Sequence, residues 1–169
     1  MAIAFRAAEK KDVPLIYEFI YALADYHDMR GELSVTEEML EEWIFEKEKA
    51  YVRFLLLEGK EIGAAIYFFN YSTVTGRGGL YLEDLYIRPQ YRGRGFGKAV
   101  LQELARIALE KGCARMDWMC LDENTSGMHF YKMLGAEQMK GWSAFYLAGE
   151  ALLHLANPPQ ETTSTEKIC

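Results

Sequence analysis

The sequence predicts a mixed α/β fold in which helices flank both faces of a central sheet. Apolar runs of strand length alternate with longer segments in which apolar residues recur every three or four positions. Two neighbouring runs flank the turn Glu58-Gly59-Lys60, which is typical of a β-hairpin. With 169 residues, half of them apolar, the chain is long enough for one domain with a substantial core.

The first elements are a short strand over residues 3–6 and two helices. Asp12 is a suitable N-cap for the first helix. The second helix begins either at Ser34, where Glu37 completes a capping box, or at Thr36. The apolar faces of the two helices contain Leu15, Ile16, Phe19, Ile20 and Leu23, and Met39, Leu40, Trp43 and Ile44.

The later elements are marked by strand-length apolar runs and by glycines that end helical patterns. The predicted strands cover residues 51–57, 62–70, 80–87, 115–121 and 142–147. The predicted helices cover residues 98–111 and 126–134, which are followed by Gly112 and Gly135. Residues 71–79 are predicted to be a flexible connection. Residues 157–169 are predicted to be a disordered tail, which leaves residues 1–156 as one domain.

The composition restricts the classes of function. The net charge of −6 argues against a nucleic-acid partner, because phosphates require a basic face. The charge would suit a cationic substrate if the acids line a pocket, but taken alone it favours the simpler explanation, ordinary solubility. No apolar run could span a bilayer and the N-terminus lacks a secretory segment, so a cytoplasmic protein without a membrane partner is expected. The three cysteines show no metal-ligand spacing, so no metal is expected.

A glycine-rich segment, residues 92–97, lies between the strand at residues 80–87 and the next helix. A strand followed by glycines at the start of a helix is typical of an anion-binding site. A P-loop requires a glycine five residues before its Gly-Lys pair and a Ser or Thr after it. Counted from Gly97-Lys98, those positions hold Arg92 and Ala99. The dinucleotide pattern fails as well, because its last glycine position holds lysine or valine.

A third pattern fits this segment. Arg92-x-x-Gly95-x-Gly97 matches the R/Q-x-x-G-x-G/A motif of Gcn5-related N-acetyltransferases (GNAT), which holds the pyrophosphate of acetyl-coenzyme A (acetyl-CoA). Asn124 and the run from Phe130 to Ala136 match the second signature of that family. The chain therefore resembles a GNAT protein over roughly its whole length. The resemblance implies a single-domain, largely antiparallel central sheet with helices on both faces.

The sequence resembles one branch of this family more closely than the family as a whole. Phe69-Asn70-Tyr71-Ser72-Thr73 and the strand from Leu80 to Tyr86, with its Leu-Glu-Asp, resemble the diamine and polyamine acetyltransferases and their thialysine-acetylating relatives. Ser-Thr-Val-Thr at residues 72–75 is a departure, because the branch tends to place a tryptophan there.

The resemblance implies a catalytic pair. The amine must lose a proton and the departing thiolate must gain one. Glu83 matches the glutamate that removes the proton, and Tyr131 matches the tyrosine that protonates the thiolate. Strand alternation places Glu83 and its neighbour Asp84 on opposite faces, and solvated acids or ion pairs with Arg88 or Arg115 are the alternative interpretation. For Tyr131 the alternative is a half-buried helix residue.

The resemblance also implies the binding residues. Asp84 and Glu83 would bind the cationic substrate, and Tyr26 and Asp28 would contribute to a cation-binding rim unless they form only a solvated helix end. The implied cofactor-binding residues are Leu85, Tyr86, Ile87, Arg92, Gly93, Arg94, Gly95, Phe96, Gly97, Lys98, Asn124 and Tyr131. A basic surface cluster is the alternative for the charged members, and helix capping is the alternative for Asn124.

These residues predict an acetyl-CoA-dependent N-acetyltransferase that acts on a small cationic amine in a ternary complex. Two alternatives stay open: the same chemistry on an amino acid, an aminoglycoside or a protein lysine, and a non-catalytic acyl-CoA-binding module. The resemblance also implies a homodimer.

Overall fold

A computed structural model describes residues 2–158 of the protein. The chain forms two compact units, of which the first ends at Phe130 and the second begins at Tyr131. Most of the predicted tail, residues 159–169, lies outside the described residues.

The first unit is built on a five-stranded sheet with the spatial order β1-β2-β3-β4-β5. The strands are β1 Ile3–Ala7, β2 Tyr51–Leu57, β3 Lys60–Ser72, β4 Arg77–Ile87 and β5 Arg115–Trp118. Neighbouring strands are antiparallel from β1 to β4, and β4 and β5 run parallel. The mixed, largely antiparallel sheet is therefore confirmed.

The helices begin and end close to the predicted positions. They are α1 Val13–Tyr26, α2 Glu37–Leu40, α3 Phe96–Glu110, α4 Thr125–Met133 and α5 Gly149–Ala156. After Leu40 the chain of α2 continues as a π-helical segment, Glu41–Glu46. The cap of α2 is Thr36, whose hydroxyl accepts a hydrogen bond from the Met39 amide at 3.3 Å. Among residues 2–158, no helix is long and apolar enough to cross a membrane.

The first two helices cover one face of the sheet. Ile16 and Phe19 of α1 and Ile44 of the segment after α2 share a buried cluster with Ala64 and Ile66 of β3. Because β3 residues of even number point to this face, it is called here the α1 face.

The third helix covers the opposite face. Its buried residues are Val100, Leu101, Leu104, Ile107 and Ala108. Arg53 of β2, which pairs with Ala65 in the ladder, reaches Glu103 of α3 at 2.7 Å. This partly buried ion pair adds a polar contact between α3 and the sheet.

One prediction for the end of the chain is wrong, and one helix was missed. Residues 142–147 are not a strand: their backbone is irregular, and no strand of the second unit lies beside them within the described residues. A strand needs a neighbour to satisfy its backbone groups, and an apolar pattern alone does not supply one. Helix α5 was not predicted.

Two strand boundaries also differ. Strand β5 ends at Trp118 instead of residue 121. Strands β3 and β4 extend far into the predicted connection, so that only residues 73–76 form the turn.

Candidate active site

A β-bulge in β4 organises the candidate site. Leu82 pairs with Tyr67 and Asp84 pairs with Ile66, so Glu83 has no partner residue on β3. Since Tyr67 and Ile66 are adjacent, Leu82 and Asp84 lie on opposite faces of the sheet. The expectation that Glu83 and Asp84 face opposite sides rested on strict alternation, and alternation does not hold across this bulge.

The bulge turns Asp84 to the α1 face, in a half-buried position. Burial and then the charge of Glu83 raise the pKa of Asp84 to about 6. Within residues 2–158 neither acid takes part in an ion pair, because Arg88 pairs with Glu18 at 2.7 Å and Arg115 pairs with Asp117. Among the residues that the structure describes, the two acids therefore have no ion-pair partner, which suits them to bind a cation.

Strand β4 also has a partly uncovered backbone edge. Strand β5 pairs with β4 only from Gly79 to Leu82, whereas β4 continues to Ile87. Over Glu83–Ile87 no described strand lies on that side. An edge of this kind offers backbone N–H and C=O groups to an extended ligand, and it contains the predicted cofactor residues Leu85, Tyr86 and Ile87.

The glycine-rich segment forms the N-terminus of α3. Gly95 is the N-cap with φ 82° and supplies no capping side chain. Residues other than glycine rarely adopt this left-handed backbone conformation. The first amide groups of α3, from Phe96 to Lys98, therefore have no acceptor within the helix and can hold an anion.

The side chain of Arg92 connects this segment to α1. Its Nε donates a hydrogen bond to the Ile87 carbonyl at 2.8 Å. Its guanidinium lies 4.2 Å from the ring centre of Tyr26 and 5.3 Å from that of Tyr86. The structure thus joins Arg92 to Tyr26, a predicted substrate residue. Asp28 lies in the turn after α1, where its amide donates to the Asp25 carbonyl.

The other predicted cofactor residues of the glycine-rich segment lie at the start of α3. The guanidinium of Arg94 lies 5.9 Å from the ring centre of Tyr91 and 5.3 Å from that of Phe96. A Cβ on Gly97 would lie 3.5 Å from the Phe130 ring, which brings α4 against α3. Gly93 and Lys98 are exposed.

Asn124 is the N-cap of α4. Its Oδ1 accepts hydrogen bonds from the Gly127 amide at 2.9 Å and from the Ser126 hydroxyl at 3.1 Å. The capping role, one of the two predicted for Asn124, is thus present. Tyr131 lies on α4 and is the first residue of the second unit.

Residues that the sequence interpretation did not single out lie beside Glu83. Tyr81 stacks on Phe68 with ring centres 4.9 Å apart. Tyr81 also pairs with Asp117 of β5. Burial and then the charges of Glu83 and Asp117 raise the pKa of Tyr81. The charged residues Arg115 and Asp117 of the short strand β5 were the sequence signal for this neighbourhood. The register of β5 with β4, which places Asp117 beside Tyr81, could not be read from the sequence.

A cleft of about 360 Å³ lies elsewhere, between the start of α1 and α2. Its lining includes Lys10, Lys11, Glu37 and Glu41, and ion pairs such as Lys10–Glu41 at 2.7 Å cross it. It contains none of the predicted site residues.

The arrangement in β4 and α3 supports a defined chemistry. It places a carboxylate pair for a cation and a helix N-terminus for an anion within one continuous segment, with an uncovered strand edge between them. These are the groups needed to bring an amine and a phosphate-bearing acyl donor together.

Known proteins share this sequence and fold. The family described as Acetyltransferase (GNAT) family matches residues 17–136. The thialysine N-epsilon-acetyltransferase of Bos taurus is 34% identical over 166 residues, which cover 91% of this chain and 97% of that protein. The spermidine/spermine N(1)-acetyltransferase-like protein 1 of Homo sapiens is 29% identical over 162 residues, which cover 89% of this chain and 23% of that protein.

A solved structure agrees. The integron cassette protein VCH_CASS6 of V. cholerae superimposes with a TM-score of 0.77 at 26% identity, over 93% of this chain and 99% of that one. The chain therefore belongs to the GNAT acetyltransferase family and is an N-acetyltransferase.

Proposed function

We propose that the protein transfers the acetyl group of acetyl-CoA to a primary amine of a small cationic substrate, such as a polyamine, a diamine or a thialysine-like compound. The observation that carries this proposal is the pair Glu83–Asp84, which has no ion-pair partner among residues 2–158 and lies shortly before the N-terminus of α3. The names of the relatives, which refer to thialysine and to spermidine and spermine, agree with a cationic amine.

The residues present fit acetyl-CoA. The amides from Phe96 to Lys98 would hold its pyrophosphate, with Gly93, Arg94 and Arg92 around them. The uncovered edge from Leu85 to Ile87 would hydrogen-bond its extended arm, to which Asn124 would add its amide nitrogen. When bound, acetyl-CoA supplies an acetyl group activated as a thioester.

Glu83 is the proposed base. It removes a proton from the substrate ammonium, directly or through a water, so that the amine can attack. A new C–N bond would form as the C–S bond breaks, and Tyr131 would give its proton to the departing sulfur. The acylated nitrogen would then release its second proton, which would restore the Tyr131 hydroxyl. The assignment of Tyr131 rests on its sequence motif.

Asp84 is the proposed binding group for the substrate charge. An ammonium beside it would supply the counter-charge that the described residues do not. Tyr26 and Asp28 would add cation–π and charge contacts at the rim.

Steady-state release of the coenzyme A thiol tests the mechanism. Glu83→Gln and Tyr131→Phe are each expected to lower kcat by about 10²- to 10⁴-fold, while Glu110→Gln, an exposed acid of α3, serves as the control. Intersecting initial-rate lines are expected for direct attack in a ternary complex. Unchanged rates in both variants, or the parallel lines of a covalent intermediate, would overturn the mechanism.

The same assay distinguishes the amine classes. Polyamines, thialysine, lysine, aminoglycosides and a lysine-containing peptide are compared at equal concentration. Turnover restricted to aminoglycosides or to the peptide would replace the proposed substrate class. We also propose a cytoplasmic homodimer, for which sedimentation velocity should give twice the mass of one chain.

A further inference from the structure

A polar patch crosses three strands on the α1 face, on the same stretch of the sheet as Glu83. It consists of Asn70 on β3, Gly79 on β4, and Arg115 and Asp117 on β5. Gly79 pairs with both Asn70 and Arg115. A Cβ on Gly79 would lie 2.3 Å from Asn70 Oδ1 and 3.4 Å from Arg115 Cγ, so only glycine leaves room for both side chains.

Within the described residues, the ion pair of Arg115 and Asp117 leaves some of its hydrogen-bonding atoms without a partner. Arg115 Nε lies 2.8 Å from Asp117 Oδ2, and Asn70 Nδ2 donates to the same oxygen at 3.4 Å. The side chains of Arg115 and Asp117 are 41% and 20% exposed. Within residues 2–158, the terminal nitrogens of Arg115 and the Oδ1 of Asp117 make no hydrogen bond. The pair therefore presents a donor fork and an acceptor side by side.

The patch lies one substrate length from the proposed base. Asp117 pairs with Tyr81, which precedes Glu83 by two residues, so the separation along the strand is about 7 Å. The stacked rings of Tyr81 and Phe68 lie in the same row across the sheet as Asp117 and offer an apolar surface beside it. An extended chain of four methylene groups spans about 6 Å between a terminal amine and Cα.

We propose that Arg115 and Asp117 bind the α-carboxylate and α-ammonium of an amino acid whose terminal side-chain amine reaches Glu83. This inference rests on the proposed function and narrows its substrate class to α-amino acids with a terminal amine. The terminal nitrogens of Arg115 pair with the carboxylate, and Asp117 Oδ1 accepts from the ammonium. A simple diamine has no group for Arg115, and its second ammonium would face the guanidinium charge.

L-Lysine and 1,5-diaminopentane differ only by the α-carboxylate and therefore test this selectivity. The kcat/KM of the wild type is expected to be at least about tenfold higher for lysine. Arg115→Gln is expected to lower the value for lysine by about 10- to 100-fold and to change that for the diamine by less than about threefold. Asp117→Asn is expected to lower it for both. Arg106→Gln, an exposed ion-paired arginine of α3, is the control.

The ratio of the two kcat/KM values does not depend on the fraction of folded enzyme, so a destabilised variant still gives an answer. If Arg115→Gln leaves this ratio unchanged, or if the wild type prefers the diamine, the head-group site is wrong while the proposed function stands. If no amine is turned over, the proposed function fails. Calorimetric titration of lysine into wild type and Arg115→Gln then decides: equal affinity overturns the site, and an affinity lost only in the variant supports it.

Discussion

Asp84 has a charge environment that favours a bound cation. The half-buried carboxylate has a pKa of about 6, against an ordinary value of 3.8. A shift of this size corresponds to about 3 kcal/mol at most. The cause is burial first and the neighbouring Glu83 second. An ammonium placed beside Asp84 would offset both effects. The free energy by which the ionised carboxylate destabilises the folded protein would then be recovered when the substrate binds.

Asp84→Asn should therefore stabilise the protein at neutral pH. The pKa of Asp84 in the wild type is raised on folding. Its ionised carboxylate therefore destabilises the folded state fully above about pH 6, and this destabilisation disappears as the pH falls to about 4. The variant should exceed the wild type by about 1–3 kcal/mol in free energy of unfolding at pH 7. Urea denaturation at pH 7 and pH 4 measures this difference, and the pH 4 value is the internal control.

The same variant should bind its substrate less well, with a higher KM for the amine. An equal stability difference at both pH values would show that Asp84 titrates as an ordinary aspartate. The proposed cation site would then lose its electrostatic basis.

At the scale of elements, one segment contains both proposed binding functions. The glycine-rich segment correctly predicted that a helix begins directly after it, because φ and backbone access at such positions depend on local sequence. The bulge at Glu83 could not be predicted. It depends on how β4 pairs with β3, and the sequence of β4 fits a regular strand equally well. The Arg92–Tyr26 contact also depends on tertiary packing, which brings the end of α1 to the loop.

The start of α4 gives a prediction at this scale. A Cβ on Gly127 would lie 2.7 Å from Asn124 Nδ2, so Gly127→Ala should displace the cap while adding a better helix former. In the wild type these effects should nearly cancel. In the Asn124→Ala background no cap remains to be displaced, and the same change should stabilise by about 0.5–1 kcal/mol.

A double-mutant cycle of unfolding free energies measures the coupling, which should be about 1 kcal/mol. Asn124→Asp, which retains an oxygen acceptor, is the matched control and should preserve the cap. If Gly127→Ala has the same effect in both backgrounds, the hydrogen bond from Gly127 to Asn124 does not stabilise α4.

At the scale of the whole molecule, the sequence predicted the order of elements as far as α4. The hairpin and the amphipathic helices each have a local signal, such as turn residues or a repeating apolar face. The irregular segment at residues 142–147 has an equally strand-like pattern, but its structure depends on a neighbouring strand that no local pattern encodes. The parallel pairing of β4 and β5, which positions Asp117, likewise depends on the crossover through α3.

An ion-pair network holds strand β1 to its surroundings in the first unit. Arg6 of β1 donates to Asp12 Oδ2 at 2.6 Å and to Glu61 Oε1 at 2.8 Å. Asp12 Oδ2 also accepts from the Glu9 amide at 2.8 Å. The network links β1 to β3 and to the turn that begins α1. Hydrogen bonds from Arg6 lower the pKa of Asp12 against the opposing effect of its burial, and they lower that of Glu61.

Asp12→Asn should destabilise the protein with a pH dependence opposite to that of Asp84→Asn. Since the pKa of Asp12 is lowered on folding, its contribution is complete above the ordinary value of 3.8 and is lost as the pH falls below it. At pH 7 we expect a loss of about 1–3 kcal/mol, because Arg6 keeps Glu61 but loses a buried partner. Urea denaturation at pH 7 and pH 3 measures it, with the exposed Asp122→Asn as control. A variant as stable as the wild type at pH 7 would show that the ion pair of Arg6 with Asp12 does not stabilise this unit.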